Sequence, residues 1–400
     1  MNMNENGLNL RTLFLQHLAQ TSDFPMCVEV ARADGIYIYS PAGKAYIDLI
    51  AGVSVSNVGH CHPKVVEAVK SQAEKYMHVM VYGEYVESPQ VLYAKRLTEL
   101  LPSNLSSVYF VNSGSESVEG ALKLAKRYTG RTEMLSFKNA YHGSSHGAVS
   151  VMGNEEYRNS FRPLLPDTRI INFNDENDLN QITERTACVI VEPIQGEAGI
   201  VVPTNDFLKK LRKRCDEKNV LLIFDEIQTG FGRIGKLFAF EQYSVIPDIL
   251  CLAKSMGGGM PLGAFISSNK IMSALKTNPA LGYITTFGGH PVSCAAALAS
   301  LNIIIEEKLL EEVNEKSNLF KQLLTHKKIK EVRGEGLFLA VELGCSQLRE
   351  SFINKGIEHG LLSDWFLFCD TAFRISPPLT ITNNQIKEIV NIINSILDEI

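Results

Sequence analysis

The chain contains no apolar run approaching the roughly 18 residues that a helical membrane span requires. Its eight cysteines, at 27, 61, 188, 215, 251, 294, 345 and 369, form no Cys-x-x-Cys pair. That scatter argues against a disulfide framework or a zinc finger and for free thiols in a reducing compartment. Charge is not blocked either: 39 Lys and Arg are interspersed with 44 Asp and Glu, for a net charge of -5. No basic footprint for nucleic acid and no polybasic segment for a membrane surface is present. Residues 1–9 are polar and acidic rather than basic then apolar, so no secretory signal is expected and the cytoplasm is the expected location. Repeats and low-complexity tracts are missing as well.

What the chain has is bulk and hydrophobicity: 400 residues, 45% of them hydrophobic, enough for two domains with sizeable cores. Val220-Leu221-Leu222-Ile223-Phe224 is an uninterrupted apolar run of the kind found in strands buried on both faces of a parallel sheet. Asp225-Glu226-Ile227-Gln228 follows at once, and ligands of open α/β sheets sit beyond the strands' carboxyl ends. A second short run, residues 247–253, ends on Lys254 and the glycine-rich residues 255–259. Two strand ends thus offer a carboxylate and an amine. An electron sink needs this pair: an amine forms a Schiff base with an aldehyde cofactor, and a carboxylate keeps a pyridine nitrogen protonated. A capping aspartate and a solvated lysine would look the same in sequence.

Elsewhere the apolar spacing predicts a short amphipathic helix over 10–20 and two strands flanking the turn at 41–44. Gly59-His60-Cys61-His62-Pro63 carries zinc-ligand types, but adjacent residues cannot all turn to one ion and no second pair follows. A turn before a helix over 63–76 is expected instead, and no metal site. Residues 108–111 lead as a strand into Asn112-Ser113-Gly114-Ser115-Glu116 and a helix ending near Gly130. Such a turn presents free N–H groups, hydroxyls and a positive dipole end to an anion, although a plain N-cap uses the same residues. Tyr141 and His142 follow the strand at 133–137 and offer rings to a flat cofactor or to the core. The strand at 187–191 ends in Glu192-Pro193 and then Gln195-Gly196-Glu197. Strands alternating with helices from about 108 to 275 give an α/β fold with a mostly parallel, doubly wound sheet.

Gly230, Gly232 and Gly235 match G-x-G-x-x-G with Asp248 near the distance of a ribose acid, which raises nicotinamide binding as an alternative. Residues 225–229 separate them from the strand, and no helix start follows, against the needs of that fingerprint. Thr285 and Thr286 stand in a polar glycine-rich loop before a small-residue helix at 293–306. Beyond 307 the texture becomes α+β, with helices at 310–324, 348–359 and 384–400, a strand at 336–342, and Arg374 on a short strand before Pro377-Pro378. An arginine fork is a natural clamp for a carboxylate.

Taken together, residues 59–63, 112–116, 141–143, 192–197, 224–230, Ala253-Lys254, 286–289 and Arg374 resemble the class III aminotransferases, pyridoxal phosphate enzymes of fold type I. The resemblance spans about 34–379. It implies a large cofactor-binding domain over 61–306 and a smaller α+β domain from 1–60 and 307–400. It implies that Lys254 forms the Schiff base with pyridoxal 5'-phosphate, that Asp225 pairs with the pyridine nitrogen, and that Gln228 approaches the phenolic oxygen. Ser113, Gly114 and Ser115 would hold the phosphate, with Tyr141 stacked on the ring and His142 beside it. Thr286 would reach the partner subunit's phosphate, with Thr285 beside the substrate, so that a homodimer completes both sites. Arg374 would bind a carboxylate of glutamate or 2-oxoglutarate, and Glu197 would pair with Arg374 in the other half-reaction. The implied activity is ping-pong transfer of an ω-amino group to a 2-oxo acid, with an aminomutase or racemase reaction on the same fold as the alternative.

Two positions depart from the ornithine-type pattern. Ser144 stands where those enzymes carry an arginine for the donor's carboxylate, and Val53 stands where ornithine-specific members have a tyrosine. Tyr82, Tyr85 and Trp365 are candidate pocket walls.

Overall fold

A computed structural model describes residues 9–81, 83–204 and 206–400; Tyr82 lies outside the described residues. At its centre is a seven-stranded sheet, in the order Ser107–Val111, Gly263–Ser267, Ile249–Leu252, Leu221–Asp225, Thr186–Val191, Glu133–Phe137 and Thr168–Ile171. Gly263–Ser267 runs antiparallel to both its neighbours, and the other pairs are parallel. Every residue of Thr186–Val191 and Leu221–Asp225 is buried. Helices cover both faces of these strands, which is why their sequences are continuously apolar rather than alternating.

The flanking helices bury apolar stripes. Gly114–Thr129 turns Val118, Ala121, Leu122 and Ala125 inward, and Phe207–Lys218 buries Phe207, Leu208, Leu211 and Cys215. Gly120 is where the first of these presses closest on the sheet: a Cβ there would stand 2.2 Å from Phe265 Cε1. Pro291–Glu306 is buried along most of its length, wedged against Pro63–Lys75 and Ser88–Glu99.

Two smaller sheets lie outside this layer. Arg32–Asp34, Tyr37–Tyr39 and Ala45–Asp48 form a meander that Leu361–Leu362 joins as a parallel fourth strand. Glu331–Glu335, Phe338–Glu342, Cys369–Ile375 and Trp365–Phe366 form the other, in which Arg374 lies opposite Ala340. A second apolar cluster joins these sheets to the C-terminal helices, with Ile36, Ile47 and Leu49 packed among Phe320, Phe373, Ile389 and Ile393. Phe352 stacks on Phe373 at 3.9 Å between centroids.

Candidate active site

The strands Ser107–Val111, Glu133–Phe137, Thr186–Val191, Leu221–Asp225 and Ile249–Leu252 all point their carboxyl ends to one edge of the sheet. Asp225 is the last residue of its strand and is buried. Its Oδ2 lies 2.7 Å from His142 Nδ1, and its Oδ1 accepts the Ile227 N–H at 3.1 Å. The imidazole therefore meets the acid edge-on, which fixes the direction of the carboxylate. His142 Nε2 is buried and has no partner among the described residues.

Lys254 comes one residue after the central alanine that follows Ile249–Leu252, at φ +53°. A side chain held in the left-handed region costs energy and marks a position that the surrounding structure over-determines. Burial lowers the Lys254 amine to about 8, outweighing Glu197, which raises it; Arg374 adds to the lowering, and Asp225 and Glu192 oppose it. Desolvation of a cation is the physical cause.

The anion end is built at the start of Gly114–Thr129. Ser113 caps that helix, its Oγ accepting the Glu116 N–H at 3.2 Å. The N–H groups of Gly114 and Ser115 belong to the first turn, which has no intrahelical acceptors and carries the positive end of the dipole. Gly143 packs against this turn at φ +121°, and a Cβ there would lie 2.1 Å from Ser115 Oγ. Ser115 Oγ in turn accepts the Ser144 N–H at 3.1 Å. On a separate loop, Thr285 Oγ1 accepts from Asn112 Nδ2 at 3.1 Å, while Thr286 is exposed.

Ser113, Gly114, Ser115, Tyr141, His142, Asp225, Gln228 and Lys254 line one cavity of about 500 Å³ with Val55, Glu192, Ile227, Met260 and Leu262. Glu192 is a polar member that sequence reasoning left without a role, as is Asn112. The Glu192 oxygens accept the Tyr141 and Gly196 N–H groups, each at 2.9 Å, and burial raises its acid to about 7. The signal was available, because Glu192, like Asp225, is the first charged residue to follow an unbroken apolar run. An amine, a carboxylate and an anion-receptive helix start around one cavity fit the aldehyde, the ring nitrogen and the phosphate of pyridoxal phosphate.

Beside the cavity, Arg374 Nη2 donates to Glu197 Oε1 at 3.0 Å and Oε2 at 3.2 Å. Its Nε donates to Asp364 Oδ1 at 2.8 Å and its Nη1 to Gln228 Oε1 at 3.2 Å. Gln228 Nε2 donates to Glu197 Oε1 at 3.1 Å, so the glutamine spans both members of the ion pair. Burial alone would raise the Glu197 acid; Arg374 and Lys254 hold it below its ordinary range. Burial raises the Asp364 acid despite Arg374.

Several expected positions are elsewhere. Trp365 is on the surface with the Arg349 guanidinium 5.2 Å from its ring, and Tyr85 is exposed; neither lines the cavity. Gly232 and Gly235 face the C-terminal region, where added Cβ atoms would meet Leu310 and Asn314. Asp248 accepts from the Leu222 N–H and from Arg212, each at 2.8 Å. That loop thus packs two parts of the chain together, which removes the basis for a dinucleotide fingerprint. His60, of the histidine-rich turn, pairs with Asp48 at 2.7 Å.

Residues 18–397 match the family described as aminotransferase class III. An acetylornithine aminotransferase of Methanocaldococcus jannaschii is 40% identical over 408 residues, covering 99% of each chain. The ornithine aminotransferase structure from Toxoplasma gondii superposes with a TM-score of 0.90 at 30% identity, over 98% of this chain and 94% of that one. A PLP-bound amine transaminase structure from an uncultivated Pseudomonas species gives 0.88 at 28% identity, over 96% and 100%. Fold and cavity together define a pyridoxal phosphate enzyme that transfers amino groups. More narrowly, the chain belongs to the class III aminotransferases. No helix among the described residues is long and apolar enough to cross a membrane.

Proposed function

We propose that this enzyme moves the terminal amino group of an ω-amine donor to a 2-oxo dicarboxylic acid of the 2-oxoglutarate type, by a ping-pong cycle. The observation that carries this reading is the buried Arg374 fork, bonded to Glu197 beside the cavity that holds Lys254 and Asp225. When bound, the cofactor supplies a ring that withdraws electrons from the carbon bearing the transferred nitrogen. Asp225, fixed by His142, keeps the ring nitrogen protonated through a charge-assisted hydrogen bond. The Lys254 amine, held near neutrality, takes and returns the proton at the reacting carbon. Ser113, Gly114 and Ser115 anchor the phosphate, and Tyr141 covers the ring.

Arg374 binds the acceptor's carboxylate when Glu197 turns aside, and Glu197 neutralises it when the donor is bound. Each state is selected by the charge of its ligand. Acetylornithine and ornithine, named for the relatives, are donors to test first. A mutase or racemase would turn over a single substrate, so the amine-treated enzyme decides between them: an aminotransferase stops after one half-reaction until a 2-oxo acid is added.

The reading includes a homodimer. Ile284 and Phe287, flanking Thr285 and Thr286, are exposed, as are Met77, Val79, Tyr85 and Val86. His78 joins the two segments, its ring 4.8 Å from that of Phe287. Such an apolar surface beside Thr286 supports a second copy there, with Thr286 reaching the partner's phosphate. The reading also divides the chain into a large unit over 61–306 and a small one from 1–60 and 307–400; one apolar cluster lies within the small unit, while another packs Ile194, Ile200 and Ile234 against Phe338 and Phe366 across the division. Eight free cysteines support a cytoplasmic setting.

A further inference from the structure

Two acids meet the Arg374 guanidinium. Glu197 reaches Nη2 at 3.0 Å and Asp364 reaches Nε at 2.8 Å, so one buried cation stands between two carboxylates. They come from different parts of the fold. Glu197 lies on the loop after Thr186–Val191 of the large sheet, whereas Asp364 immediately precedes Trp365–Phe366, a neighbour of the Arg374 strand in the small sheet. The Arg374 N–H donates to the Asp364 carbonyl at 2.9 Å, and the Ser363 hydroxyl donates to the Arg374 carbonyl at 2.7 Å. Backbone and side chain of Asp364 therefore hold the same residue.

A guanidinium carries five N–H groups in one plane, and here they are divided by origin of their partners. The single Nε–H goes to Asp364, and the guanidinium carbon lies over the buried Phe366 ring of the same sheet, 4.6 Å from its centroid. The Nη groups go to Glu197 and Gln228, which reach in from loops of the large sheet. A carboxylate that replaces Glu197 needs the Nη groups free and the guanidinium still in place. If Glu197 were the sole acid, its departure would strand a cation that is only 1% exposed, and an unpaired buried charge is strongly disfavoured. Asp364 need not move in that exchange, because it occupies a different edge of the guanidinium.

Building on the aminotransferase reading above, we infer that Asp364 is a positioning residue for the acceptor: it fixes and neutralises Arg374 through both half-reactions, so that Glu197 alone changes places with the acceptor's carboxylate. Asp364 does not line the cavity; it acts through Arg374.

The test uses cofactor-loaded enzyme and glutamate, with single-turnover bleaching of the visible cofactor band followed against glutamate concentration. Asp364→Ala should raise the half-saturating glutamate concentration about tenfold, the scale of one charge-assisted hydrogen bond, with a smaller change in the limiting rate. Asp364→Asn keeps an acceptor for Nε and should recover most of that loss. In an Arg374→Ala background, adding Asp364→Ala should change half-saturation by less than about twofold, since a residue that acts through Arg374 has nothing left to position. A merely structural role would add its full cost there. Unchanged half-saturation in Asp364→Ala, an Asp364→Asn no better than Asp364→Ala, or the same tenfold step without Arg374 would overturn the inference. Thermal unfolding of each variant confirms its fold, and if Asp364→Ala does not fold, Asp364→Ser takes its place under the same criteria. The unaltered enzyme, run in parallel, reports the underlying reading: bleaching by glutamate leaves the aminotransferase reading intact whatever the Asp364 variants do, and no bleaching sinks that reading and the inference with it.

Discussion

Arg374 and Glu197, 177 positions apart in the chain, meet through two contacts of 3.0 and 3.2 Å with the guanidinium side chain only 1% exposed. Removing one partner of such a pair leaves the other charge buried and unpaired. Arg374→Ala should therefore slow the 2-oxo acid half-reaction on the order of a hundredfold, since losing a buried charged contact costs about 2–5 kcal/mol. The amine half-reaction should fall far less. Stopped-flow spectra of each half taken separately check this, and equal losses in both would remove Arg374 from the acceptor's binding site.

Gly143 is the tightest point between the Tyr141 turn and the helix start. Gly143→Ala would place a Cβ 2.1 Å from Ser115 Oγ at a φ of +121°, so the turn must move away from the anion end. We expect cofactor affinity to drop about tenfold or more, with a fold stability loss of about 1–3 kcal/mol. Equilibrium dialysis of the cofactor and thermal unfolding of the apoenzyme separate the two effects. Wild-type affinity would mean that the turn does not shape the phosphate site.

Lys254 gives a pH signature. Its amine is lowered from 10.5 to about 8, chiefly by burial, and only the neutral form attacks a carbonyl. The rate at which apoenzyme acquires the cofactor's absorbance should rise about tenfold from pH 7 and level off above 8. A free lysine would keep accelerating toward 10.5. Stability carries the complementary sign. Between 8 and 10.5 the unfolded chain holds the extra proton, so the apoenzyme gains stability as pH rises through that window. Lys254→Met apoenzyme should be the more stable form at pH 7, with its advantage shrinking toward pH 10.5 in denaturant titrations.

His142 bonds to Asp225 at 2.7 Å, both groups buried. His142→Phe leaves the carboxylate short of a partner, and we expect a loss of about 1–3 kcal/mol in stability together with weaker cofactor binding. His142→Asn keeps a donor in reach and should restore part of both. Calorimetry and dialysis on the two variants make the comparison, and equal behaviour would show that the ring merely fills space.

Asp225 and Lys254 were legible because strands buried on both faces read as unbroken apolar runs, so that the first charged residue marks a strand end. Glu192 carried the same signal. Gly263–Ser267, by contrast, follows residues 255–259, rich in glycine, and its small residues resemble a loop extension. Leu361–Leu362 is too short to show any period, and only its long-range pairing with Ala45–Asp48 makes it a strand. The Arg374–Glu197 contact depends on two sheets meeting at one edge, and nothing in the local spacing of either residue carries that information. His142's edge-on seat beneath Asp225 depends likewise on the packing of one strand end against another.

The central claim is that Lys254 and Asp225 grip one ring between them. Reconstituted enzyme should be treated with borohydride, digested and analysed by mass spectrometry. A pyridoxyl adduct on Lys254, absent from Lys254→Ala although that variant still binds cofactor without turning over, is the expected result. An adduct on another lysine, a protein that takes up no cofactor, or repeated turnover by Lys254→Ala would contradict it.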